Sequence, residues 1–182
     1  MKISLLFKKG NRQDARNWRP ISLLNVDYKI VSRVIAGRFL KVFHSVVHTD
    51  QTCSVPGRFI GENMAFLRDV VAYATETDSP VAVLSMDQEK AFNRVDLHFM
   101  RSVLLSMGFG SSFVQWVNLF YTEVQSCVNV NGYLSSFFPL SRGARQGCPL
   151  SPLLYVLVSE VLAVNIRANP RIVGLSLSLI HI

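Results

Sequence analysis

The chain has 182 residues, 49% of them hydrophobic, enough for a buried core and too many for wholesale disorder. Only 17% are charged, a low fraction for a free-standing domain, so some apolar surface is expected to want a neighbour. The net charge of +7 is uneven: residues 1–42 hold ten Lys and Arg against two Asp, and the remainder is close to neutral, a balance that suits a polyanionic partner as well as a solvated basic face.

The opening ISLLF reads as a short strand, and KKGNRQDARN after it as a polar turn rich in positive charge. WRPISLLN is held extended by Pro20. Apolar residues at 30, 31, 34, 35, 39, 42, 43, 46 and 47 follow helical spacing; this predicts a helix over 27–47 that buries one face and turns Lys29, Arg33 and Lys41 outward. Pro56 and Gly57 mark a loop, a second helix is expected over 62–76, and Pro80 punctuates the chain again.

VAVLSM is a run of strand formers and predicts a buried strand with Asp87 at its end. Helices are expected over 96–107, stopped by Gly108, and over 112–123. CVNV, Asn131-Gly132 and YLSSFF form a hairpin signal, because Asn-Gly supplies the positive φ angles of a type I′ turn. SRGARQG and prolines 149 and 152 introduce a last helix ending near Ala168. Interleaved strands and helices with an antiparallel hairpin predict an α+β fold.

Cys53, Cys127 and Cys148 are far apart and form no C-x-x-C pair, a usage that suits a reducing compartment. ISLLF is too short for a signal-peptide core. LLYVLVSEVLAV is broken by Ser159 and Glu160 and falls short of a span of about 20 residues. The expectation is an intracellular chain without membrane insertion, with nucleus and cytoplasm left open.

Asp87 at a strand end offers an oxygen ligand for Mg²⁺, although such a residue is also a common turn former. The surrounding blocks are more specific: FKKG, NWRPISLLNVDYKI, DQTCSVPGRFIGEN, LSMDQEKAFNRVD and VNVNGYLSSFFPLSRGARQGCPLSPLLYVLVSEVLA occur in one order over residues 5–168. In these blocks the chain resembles the reverse transcriptases of non-LTR (LINE-type) retrotransposons.

The resemblance implies a right-hand polymerase fold, with fingers over about 1–80, the first part of the palm over about 81–170, and a tail, 171–182, that does not match. It implies RNA-templated DNA synthesis with two Mg²⁺ ions, an RNA template, a DNA primer and deoxynucleoside triphosphates. Asp87 then matches the first metal-binding, catalytic carboxylate, and Phe92 the bulky side chain under the incoming sugar. Arg19 and Lys8, or Lys9 in its place, match the grip on the triphosphate; Gln146 and Gly147 match the block at the nascent base pair. Arg58 is placed along the template path, and Arg145 at a template or primer phosphate.

Two departures stand out. The family carries an Asp-Asp pair downstream, whereas this chain has none, and its last acid is Glu160. The expectation is therefore a domain truncated before the catalytic hairpin and thumb, inactive alone. Asn93 stands where relatives usually have Asp, keeping a hydrogen bond but losing a charge. Two other readings fit the same residues: a nucleic-acid-binding relic without catalysis, and a group II intron-type reverse transcriptase and maturase.

Overall fold

The structure is a computed structural model that describes residues 1–172 and Gly174. The unmatched tail expected from 171 onward lies almost wholly outside the described residues.

Strand β1 (Lys2–Phe7) turns back through a single 3₁₀ turn (Ala15–Asn17) into β2 (Trp18–Leu23). The two pair antiparallel from Lys2 opposite Leu23 to Phe7 opposite Trp18. Asp14 caps the 3₁₀ turn by accepting from the Arg16 amide. The Trp18 indole N–H donates to the Arg12 carbonyl at 2.9 Å, and its ring packs on Phe7. These contacts fix the shape of the basic tip.

Beyond β1 lies β3 (Gln125–Val130), parallel to it, followed by β4 (Tyr133–Leu134) and β5 (Phe138–Pro139), each antiparallel to β3. Asn131 and Gly132 join β3 to β4 with φ of 51° and 88°, the paired positive values that a type I′ turn requires.

Helix α1 (Val26–Val46) carries Ile35, Phe39 and Phe43 into the core. Phe39 meets Phe43, Phe109 and Phe113 at centroid distances of 5.0, 5.2 and 5.2 Å, a cluster whose edge and tilted contacts add to area burial. Lys29, Arg33 and Lys41 face outward as expected. The apolar stripe is wider than the buried face, however: Ile30, Val31, Val34 and Val42 are exposed.

Helices α3 (Leu97–Ser106) and α4 (Ser111–Tyr121) pack with α5 (Ser151–Ala168), which starts with Pro152 in its first turn. Asp96 caps α3 through the Phe99 amide at 2.8 Å. By length and composition α5 would pass for a membrane span, yet Leu154 and Leu157 are sealed in the core. Packing accounts for these residues of α5, while Leu162 and Val164 remain exposed.

Two segments differ from this pattern. Helix α2 (Ile60–Glu76) buries only Val70. Residues 79–88 form no strand, correcting the expectation for VAVLSM, and Val83, Leu84 and Met86 are exposed. The physical reason is pairing: a strand satisfies its N–H and C=O groups only on neighbours, and among the described residues no strand pairs with this one.

Candidate nucleotide-binding cleft

Three segments converge on a cleft of about 580 Å³. The β1–β2 hairpin contributes Lys8, Arg16 and Arg19; the loop after residue 86 contributes Asp87, Lys90 and Phe92; Gln146 closes a third side. Five residues expected from sequence to share a site, namely Lys8, Arg19, Asp87, Phe92 and Gln146, thus line one cavity across 138 positions of chain. Lys8 faces it while Lys9 does not, the outcome that alternating side chains impose near a strand end.

Each wall has its own support. The Lys8 amide donates to the Asn17 carbonyl at 2.9 Å, tying Lys8 to the turn that leads to Arg19. The acidic loop is seated on α5: Phe92 stacks on Tyr155 at 4.9 Å, with ring planes 22° apart, and the Tyr155 hydroxyl donates to the Gln88 side-chain oxygen. Burial, with the Cys53 thiol and the Asp87 carboxylate adding to it, pushes the Tyr155 hydroxyl up, so it remains a donor. Lys90 turns the loop with φ of 51°, a conformation that non-glycine residues rarely adopt and that clusters at functional sites.

The third wall is stitched by backbone bonds. The Ala144 amide donates to the Phe92 carbonyl at 2.7 Å, Gly143 to Val95 at 2.8 Å, and Ser22 to the Gln146 carbonyl at 3.3 Å. Gly147 has φ of +104°, and an added Cβ would lie 3.2 Å from the Ser22 carbonyl oxygen. Only glycine meets both conditions without strain. Among the described residues the Gln146 side-chain oxygen is buried without a partner, a state that a ligand donor would relieve.

The chemistry of this cavity is that of an anion site with a carboxylate at its edge. Planar Arg19 and compact Lys8 suit phosphate oxygens. These features accord with one more comparison: a reverse transcriptase (RNA-dependent DNA polymerase) family model matches residues 7–180.

The chain belongs to the reverse transcriptase family. It is 42% identical over 175 residues to the transposon TX1 uncharacterized 149 kDa protein of Xenopus laevis, covering 96% of this chain and 13% of that protein. It is 23% identical over 175 residues to the retrovirus-related Pol polyprotein from the type-1 retrotransposable element R2 of Popillia japonica, covering 96% and 24% respectively. Against the Pol polyprotein from the type-2 element R2DM of Drosophila melanogaster it is 26% identical over 161 residues, covering 87% and 15%. The chain spans less than a quarter of the length of these relatives. The retrotransposon resemblance read from the sequence blocks agrees with all three.

The cleft offers few carboxylates for Mg²⁺. That ion takes about six oxygens in near-octahedral geometry, and among the described residues no three His, Cys, Asp or Glu side chains converge to hold a metal. Glu89 is paired with Arg94, which leaves Asp87 as the acid of the cleft without an ion pair among the described residues. Among the described residues, that is one unpaired carboxylate in the cleft, fewer than the oxygens that Mg²⁺ takes.

Arg58 and Arg145 lie outside the cleft. Arg58 donates to the carbonyls of Val47, His48 and Gln51, closing the C-terminus of α1. Arg145 is buried. Both guanidiniums therefore have partners within the chain: carbonyls for Arg58, and a carbonyl with two aromatic rings for Arg145. Sequence reasoning passed over Trp18, Arg16 and Lys90 as cleft residues. Trp18 could have been flagged by its place beside Arg19, whereas Arg16 and Lys90 sit in polar turns whose direction only the folded hairpin and loop define.

Proposed function

We propose that this chain is the deoxynucleotide-binding part of a non-LTR retrotransposon reverse transcriptase, with fingers over about 1–80 and the first part of the palm over about 81–170. The observation that carries the reading is the single cleft shared by Lys8, Arg19, Asp87, Phe92 and Gln146. Arg19 and Lys8 hold the triphosphate, and Phe92, backed by Tyr155, is the steric wall under the sugar. Gln146 and Gly147 form the surface for the nascent base pair, and the basic face of α1 lies toward template RNA and primer DNA inside the cell. Asp87 provides one carboxylate for a Mg²⁺ ion, whose chemistry when bound is stabilisation of charge on the transferring phosphoryl group.

The exposed 79–88 segment and the single unpaired acid of the cleft favour an incomplete palm, and so a chain that does not polymerise alone. At about 1.36 kcal/mol per tenfold in rate, losing even about 5 kcal/mol of metal stabilisation would slow synthesis by roughly 10³ to 10⁴. Primer extension by the purified chain should be undetectable. Template- and Mg²⁺-dependent extension that Asp87→Ala abolishes would overturn this part of the reading.

Nucleotide binding is tested separately. In a Trp116→Phe background, Trp18 reports from the cleft wall, and deoxynucleoside triphosphate should change its emission saturably. Arg19→Ala should weaken binding by roughly tenfold or more, as expected for lost hydrogen bonds to a charged group. Unchanged emission up to millimolar nucleotide would reject the assignment.

A further inference from the structure

Arg145 is only 9% exposed, and no ion pair compensates it among the described residues. Instead its guanidinium lies over the ring of Tyr28 at 4.8 Å and over that of Tyr121 at 5.2 Å. It also donates to the carbonyl of Phe120. A buried cation without an anion is costly unless aromatic faces and a carbonyl replace its water, so this cage has a specific structural content. Phe120 meets Tyr28 edge-on at 5.1 Å, and the two tyrosine hydroxyls reach Cys148 Sγ at 3.5 Å and Ser151 Oγ at 3.3 Å. Arg145 thereby joins α1 to the end of α4, and Tyr121 carries the link on to the start of α5.

Its position in the chain gives the cage a consequence for the cleft. Gln146 and Gly147 follow directly, and the Cys148 amide donates to the Arg145 carbonyl at 3.3 Å. Backbone bonds hold residues 143 and 144 against the acidic loop and residue 146 against β2. Two side chains anchor this turn into the helical core among the described residues: Arg145 through Phe120, Tyr28 and Tyr121, and the buried Cys148, whose Sγ accepts from the Tyr28 hydroxyl. Burial pushes the Tyr28 hydroxyl up and the Tyr121 hydroxyl up to about 12, so both rings stay neutral across ordinary pH.

We propose that Arg145 is a positioning residue: clamped between Tyr28 and Tyr121, it holds the Gln146–Gly147 turn at the height at which the β2 wall and the acidic loop can share a nucleotide. This rests on the cleft being a nucleotide site, and it replaces a phosphate contact with an internal one. The two roles differ in what removes them. A phosphate contact is lost only with the charge, whereas a clamp is lost with either the cation or the rings.

The experiment uses the full chain with Arg145→Met, Tyr28→Leu, Tyr121→Leu and Tyr28→Phe, each checked for folding by circular dichroism. Amide exchange at Ser22 and Cys148 reads the turn without any ligand, and Trp18 emission reads deoxynucleotide affinity. Arg145→Met, Tyr28→Leu and Tyr121→Leu should each speed exchange at both amides and weaken nucleotide binding by about tenfold, a loss of about 1.4 kcal/mol. Tyr28→Phe keeps the ring face and loses only the weak bond to Cys148 Sγ, so its exchange and affinity should stay close to those of the wild type. Unchanged exchange in folded Arg145→Met, or normal exchange and affinity in the two Leu variants, would overturn the proposal. Should Arg145→Met fail to fold, the tyrosine variants carry the test, since they leave every charge in place. A wild-type chain that binds no nucleotide rejects the site assignment, while the exchange result still decides the clamp.

Discussion

Helices α3 and α2 are built from similar material and end in opposite situations. In α3, Met100, Val103 and Leu104 are buried against α4 and α5. In α2, Ile60, Met64, Leu67 and Val71 recur at helical spacing, yet all four are exposed and only Val70 is buried. The 79–88 segment repeats the contrast for strands, since β3 seals Cys127 between its neighbours while Leu84 stands 79% exposed. Apolar periodicity describes what a segment can bury; whether it does so depends on a facing surface. Exposed apolar side chains therefore gather on α2 and residues 79–88 as well as on the outer face of α1, beside a core in which Leu154 and Leu157 are sealed.

The contrast can be broken most forcefully from the packed side. Leu154→Ala, at a site with no exposure, should cost about 2–5 kcal/mol in denaturant unfolding. The matching change on the open side, Leu84→Ser, should move stability by no more than about 0.5 kcal/mol and improve solubility; a large loss there would mean that the segment is packed after all. Gly147→Ala comes next, because its positive φ and the nearby Ser22 carbonyl act together. It should cost about 1–3 kcal/mol and reduce nucleotide binding, read by thermal unfolding and Trp18 emission.

Smaller effects sharpen the comparison at the boundary between core and cleft. Tyr155→Phe keeps the stack on Phe92 but removes the donor to Gln88, so the expected cost is about 1 kcal/mol, and exchange in the acidic loop should rise. Asp50 is the mildest case. Burial opposes its ionisation, but the hydrogen bond from His48 and the charge of Arg167 outweigh it, and its acidity ends below the ordinary value. A carboxylate depressed on folding stabilises the fold above its unfolded value, about 3.9, and that stability is lost as pH falls through the lower folded value. Asp50→Asn should remove this acid-side dependence at a cost under about 1 kcal/mol, measured by unfolding at pH 3 to 6.

Local order was legible wherever it depends on near neighbours. The Asn131-Gly132 turn, the extended segment after Pro20 and the helices that became α1, α3, α4 and α5 follow from turn chemistry and periodicity, with bounds shifted by a residue or two. The cleft was legible in part, since Lys8, Arg19, Asp87, Phe92 and Gln146 could be named from their blocks. The directions of Arg58 and Arg145 could not. A long cationic side chain reaches carbonyls or aromatic faces as readily as phosphate, and in both cases the partners lie on other elements.

The amino-acid sequence by itself determined the order of the elements, the turn types and the residue types available for a nucleotide, because backbone preference and side-chain chemistry are properties of a few adjacent residues. Tertiary structure alone decided which apolar faces are covered, that Lys8 rather than Lys9 lines the cleft with Arg19, and that Arg145 is enclosed by Tyr28 and Tyr121. Burial and electrostatic pairing join groups far apart in the chain, and their energies exist only once those groups are brought together.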